Sequence, residues 1–301
     1  MNEKRKNRWL LTAMIAPVIQ AASNCSWIAA LIVGLLCGTI ACGMRCLGAS
    51  AAKTKLLTGI QWLWMLLLVS EFLHWIMLYW PNNSNYHAAP LLVLALAAYS
   101  LGKGKRVNCY IASVLFWVVA LLLGSVLLSG LGEMRIENLK PQWQMQTAYY
   151  IVVMLIPAMV SEAKNNGIEW GAGTLGVMTS VITTGVLSLN YIERTKGPFY
   201  VMTRALSMFD TAEHFESFAA AGMTLGYFAL ISVLLQTTSD AWGYYKSPQI
   251  GIWVSTAFIA MVFLSGMRMN SRLLAAGTLL IWVLLPALEK VLQLVKKPME
   301  K

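Results

Sequence analysis

CYIASVLFWVVALLLGSVLLSGL, residues Cys109 to Leu131, contains no Asp, Glu, Lys or Arg. A helix needs about 20 apolar residues to cross the roughly 30 Å hydrocarbon core of a bilayer, and this run is long enough. Comparable runs recur on both sides of it. Before it lie Trp9 to Ala22, Trp27 to Met44, Leu56 to Trp80 and Ala88 to Leu101; after it lie Met145 to Ser161, Gly171 to Tyr191, Phe215 to Gln236, Ile250 to Met267 and Ser271 to Val295. Of the 301 residues, 58% are hydrophobic and 12% charged, against about 25% charged in an ordinary soluble domain. The pattern predicts an all-α membrane protein of about ten transmembrane helices, a single polytopic domain over 1–301 whose direct partner is the lipid bilayer.

The net charge of +10 is carried by short loops between apolar runs. It therefore reads as topology control and contact with anionic headgroups; no nucleic-acid motif is present. With the N-terminus in the cytoplasm, alternation of the spans puts most of the 23 Lys and Arg inside, including Lys4, Arg5, Lys6, Arg8, Lys103, Lys105 and Arg106. Arg135, Lys140, Arg194, Lys196, Arg204, Arg268 and Arg272 fall outside. This bias predicts that both termini are cytoplasmic. Arg268 and Arg272, in a tight external turn, run against it. The start MNEKRKNRW resembles a signal-peptide n-region, but its apolar run leads into a second span without a clear cleavage site and reads as an uncleaved first helix. Cys25, Cys37, Cys42, Cys46 and Cys109 include no CxxC pair and no His at metal spacing, which favours packing roles.

Pro17 interrupts the first span and Pro157 the sixth, corresponding members of two five-helix halves (about 8–131 and 145–295). Each proline removes a backbone donor, and paired interruptions at such positions point to a mid-depth binding cavity; two ordinary kinks are the plain alternative. Gln20 lies three positions after Pro17, and Tyr149, Tyr150 and Met154 approach Pro157. These six residues form the expected ligand set. Ser180, Thr183 and Thr184 stripe the seventh span, a pattern more typical of helix–helix contacts. On the outside, Phe199, Met202, Leu206 and Phe209 alternate with charged residues, predicting an amphipathic surface helix over about 198–214. Arg204, Asp210, Glu213, His214 and Glu216 are its candidate contacts for a partner, or else a solvated face.

IAPVIQAASNCSWIAALIVGLL, Ile15 to Leu36, resembles the first and second helices of spore germination receptor B subunits, with Pro17 and Trp27 in place. PFYVMTRALSMFDTAEHFESFAAAGMTLGYFALISVLL, Pro198 to Leu235, resembles the outer helix and eighth span of the same family, through Pro198, Phe199, Arg204, Asp210, Phe215 and Glu216. The resemblance implies the five-plus-five inverted-repeat fold of the amino acid–polyamine–organocation transporter superfamily. It also implies a bacterial plasma-membrane location (the spore inner membrane), an amino acid-like nutrient as ligand and other receptor subunits as partners. Ala13 stands where the family has a glycine at its unwound point. Only glycine reaches positive φ freely, so this departure favours sensing over ion-coupled transport.

Glu71 and His74, one turn apart in the third span, are ionisable groups at depth. Such groups are costly and face a partner or a cavity, so they read either as a mutually bonded structural pair or as a proton, ion or ligand site. Glu-x-x-His is half of a di-iron motif, but the second half is missing. GxSxG, GxxxxGK[ST] and HExxH are absent too. Catalytic residues, metals and cofactors are therefore not expected. The readings left are a nutrient-sensing subunit, a secondary transporter of a small solute, and a membrane scaffold.

Overall fold

The amide groups of a chain in hydrocarbon have no water to bond, so each spanning segment must satisfy its own backbone. The computed structural model follows this rule: among the described residues there are helices and turns but no strand. It describes residues 3–46, 54–80, 87–141, 146–160, 167–206, 215–242 and 247–296. The helices are α1 (Glu3–Ala22), α2 (Trp27–Cys46), α3 (Lys55–Met77), α4 (Ala88–Gly102), α5 (Lys105–Gly132), α6 (Ala148–Met159), α7 (Ile168–Leu187), α8 (Leu189–Arg194), α9 (Pro198–Ala205), α10 (Phe215–Trp242), α11 (Pro248–Leu264), α12 (Ser271–Leu279) and α13 (Leu285–Lys296). A π turn over Leu280–Leu284 joins the last two, and its Ile281 carbonyl accepts a 3.3 Å bond from Gln61 Nε2 on α3.

Among the described residues, six helical stretches are long and apolar enough to cross a membrane: Trp27–Met44, Lys55–Met77, Arg106–Gly132, Ile168–Leu187, Glu216–Trp242 and Ser271–Gln293. Ala88–Gly102, Ala148–Met159 and Pro248–Leu264 are apolar but shorter. Large apolar side chains such as Leu35, Leu63, Trp117, Leu121, Trp253 and Leu284 project outward. A surface this oily is untenable in water and suits lipid.

α1 lies at the centre, packed by α5, α6, α7 and α10. Trp9, Ala13, Ala16, Val18, Ile19, Ala21 and Ala22 are buried. Small residues permit this crowding, as they do at membrane helix contacts generally. A Cβ added at Gly226 of α10 would come within 2.5 Å of Ala16 Cβ, so the two backbones touch there.

Two expectations about proline are corrected. α1 is one uninterrupted 20-residue helix with Pro17 inside it. The proline removes the N–H that would reach the Ala13 carbonyl, but packing on all sides holds the helical path. Pro157 lies two residues before Met159, where α6 ends, so it stops a short helix instead of breaking a long one. The outer helix is likewise shorter than expected, ending at Ala205; residues 207–214 lie outside the described set.

Gly226→Val would force α1 and α10 apart. The expected cost is about 1–3 kcal/mol, read as a lower unfolding midpoint of the detergent-solubilised protein. Gly124→Ala, where an added Cβ meets nothing within 4 Å, serves as the control and should not lower it.

Candidate ligand-binding site

Five elements meet around a cavity of about 430 Å³. Glu71, His74, Trp75 and Leu78 line it from the end of α3. Their i, i+3, i+4, i+7 spacing puts all four on one helical stripe. Gln20 and Asn24 come from the end of α1, and Gln146, Ala148 and Tyr149 from the start of α6. Lys196 and Gly197 precede α9, while Arg268, Ser271 and Arg272 surround the start of α12. Two helices thus finish at the cavity and three begin there.

Burial distinguishes floor from mouth. Gln20, Glu71 and His74 are 3%, 5% and 4% exposed, whereas Lys196, Arg268 and Arg272 are exposed. Glu71 Oε1 accepts a 3.1 Å hydrogen bond from Tyr149 Oη. His74 Nδ1 donates to the Ser70 carbonyl at 3.0 Å, which leaves Nε2 free to accept. The expected mutual bond between Glu71 and His74 is therefore not formed, because each turns to a different partner. Arg268 lies within electrostatic range of both His74 and Tyr149. Among the described residues, none of the three cations is ion-paired.

Aromatic rings make the apolar wall. Trp75 meets Tyr149 edge-on at 4.9 Å and Phe72 at 5.3 Å, with Tyr227 behind at 6.3 Å. Tyr79 Oη donates to Gln20 Oε1, and the Tyr79 ring meets Tyr200 of α9 at 5.7 Å. The carbonyl of Gln20 accepts from Ser23 Oγ at 2.9 Å and Asn24 Nδ2 at 2.7 Å, which closes the end of α1. Gly197 adopts φ 78, and its Cβ position lies 3.6 Å from Leu78 and 3.9 Å from Gln20 Nε2. This left-handed turn brings the backbone to the cavity wall and starts α9 at Pro198.

Of the six residues expected to bind ligand, Gln20 and Tyr149 line the cavity. Pro17, Tyr150, Met154 and Pro157 do not; all four are buried elsewhere. Tyr150 follows Tyr149 by about 100° on the helix. It faces α2 and α7, its hydroxyl set against Gly34 and Gly176 and without a hydrogen-bond partner, while Met154 packs at Gly173. The cavity thus sits at the helix ends, not at mid-depth between the prolines. Glu71 and His74 are brought into it.

At the outer helix, Arg204 pairs with Glu216 at 3.3 Å, joining α9 to α10, with the arginine 63% exposed. Asp210, Glu213 and His214 lie outside the described residues. Asn24, Gln146, Lys196, Arg268 and Arg272 were not singled out as ligand contacts from the sequence, and the one signal for the arginines was their conflict with the charge bias of the loops. No cluster of His, Cys, Asp and Glu able to hold a metal occurs among the described residues. In comparisons with known proteins, no family profile matches the chain and no curated protein is significantly similar to it.

Gly197→Ala puts a side chain in a left-handed turn. It should cost about 1–2 kcal/mol, seen as a lower midpoint in chemical unfolding of the solubilised protein; unchanged stability would mean that this turn does not hold the cavity wall.

Proposed function

We propose that the chain is a membrane subunit that senses a small nutrient of the amino-acid class, bound in the cavity between α1, α3, α6, α9 and α12. One observation carries this reading: one cavity brings together a buried carboxylate, three cations that form no ion pair among the described residues, and both kinds of helix end. Helix C-termini and Glu71 favour an ammonium group. Helix N-termini, Lys196, Arg268 and Arg272 favour a carboxylate. A free amino acid carries both groups, and a cavity of this size falls within the range of small-molecule sites.

The resemblance of Ile15 to Leu36 and Pro198 to Leu235 to spore germination receptor B subunits supports the same reading. On it, the chain has ten spans in two five-helix repeats, with both termini cytoplasmic, the cavity opening outward, and further receptor subunits reading its occupancy. It is not an enzyme. The ligand shifts the balance between two helix packings only by the difference in its affinity for them.

Secondary transport is the second reading, favoured by Glu71 and His74, two titratable groups at the cavity floor. The unbroken α1 favours sensing, because an intact helix frees few backbone groups to carry a coupling ion. Against a panel of labelled L-amino acids, nanodisc-embedded protein should show saturable binding. Glu71→Gln should weaken it about tenfold or more, and Tyr150→Phe should leave it unchanged. Ion-driven uptake into proteoliposomes would replace sensing by transport. Absence of binding across the panel would leave the scaffold reading.

A further inference from the structure

Charge balance within the cavity narrows the ligand further. Three cationic side chains, Lys196, Arg268 and Arg272, face one carboxylate there, Glu71, with His74 beside it. An amino acid with an uncharged side chain answers Glu71 with its ammonium and one cation with its carboxylate. Two cations at the mouth are then left unanswered, and none of the three is ion-paired among the described residues. Two of them, Arg268 and Arg272, flank the first residue of α12, where the backbone dipole adds to their field. Arginine is the side chain best shaped to grip a carboxylate with two parallel bonds. Asn24 and Gln146 add uncharged hydrogen-bonding groups to the lining.

We infer that the cavity selects an acidic amino acid, one ammonium and two carboxylates. The inference rests on the proposed function and specifies its ligand. Glu71, with the Tyr149 hydroxyl beside it, takes the ammonium at the floor. Arg268 and Arg272 hold the two carboxylates at the mouth, and Lys196 stays as one further positive charge at the rim.

The test compares L-glutamate with L-alanine, both labelled, on the full chain in nanodiscs of neutral lipid. Glutamate should bind about tenfold more tightly or better at low salt, and the preference should shrink as salt rises, because exposed charges are screened within about 10 Å at 0.1 M. Arg268→Gln and Arg272→Gln should each reduce glutamate affinity about tenfold and narrow the preference for glutamate over alanine. Since both arginines are exposed, their replacement leaves the core intact, and an unchanged thermal midpoint checks this.

Equal affinities for the two amino acids, or a preference unmoved by both variants, overturn the inference and leave the proposed function standing. Binding of neither amino acid overturns the inference, and the full panel then decides the proposed function. If phosphatidylglycerol in the nanodisc abolishes glutamate binding competitively, the cations serve lipid headgroups and the inference fails.

Discussion

An amide group in hydrocarbon has nothing to bond but its own chain, and the structure follows from that constraint. It makes every described segment helical and confines turns to the ends. It also governs what can occupy the centre. α1 is enclosed by four helices, which is possible because Ala13, Ala16, Ala21 and Ala22 leave a slim surface and Gly226 of α10 yields space to Ala16. Dispersion contacts do the work that water exclusion does in soluble cores, since lipid tails are as apolar as leucine.

The same constraint sorts the polar side chains. Some of those at depth answer to backbone: Ser180 Oγ donates to the Cys25 carbonyl at 2.6 Å, and Thr12 Oγ1 to the Arg8 carbonyl at 2.7 Å and the Ala112 carbonyl at 3.1 Å. The bonds to Cys25 and Ala112 fasten α7 to the turn after α1, and α1 to α5. The groups free to meet a solute, among them the Gln146 amide and His74 Nε2, gather where α1 and α3 stop and α6, α9 and α12 start. There helix ends expose unpaired N–H and C=O groups, so side chains and dipoles can act on one ligand. The site sits at the helix ends because a filled, apolar middle leaves it nowhere else.

Apolar runs show in composition alone, so most helices lie close to where the sequence put them. Glu71 and His74 were legible as well, because charge inside an apolar run demands a partner or a cavity. Tyr149 and Tyr150 show the limit. They are neighbours with the same chemistry, and only the packing of α6 on α2 and α7 decides that Tyr149 turns to Glu71 while Tyr150 fills the slot at Gly176. The arginines show the converse. Arg268 and Arg272 looked like an anomaly of loop charge because a positive-inside count treats each loop alone. Their role depends on the ends of α1, α3 and α6, all more than a hundred residues earlier in the chain, coming to the same place.

Pro17 separates a kinked helix from a broken one. Proline removes one donor, but unwinding also requires neighbours that enter the left-handed region cheaply, and around Pro17 the residues are Ile15, Ala16, Val18 and Ile19. Three of these, Ile15 before the proline and Val18 and Ile19 after it, are β-branched and stiff at χ1, none is glycine, and α5, α6, α7 and α10 press on the helix from outside. An unwound segment would expose several more amide groups with no water to receive them, and the single carbonyl freed at Ala13 is the smaller penalty. A helix that stays whole transmits displacement along its axis. On the proposed function, a ligand that pulls on Gln20 at one end of α1 would act on a rigid rod running through the bundle.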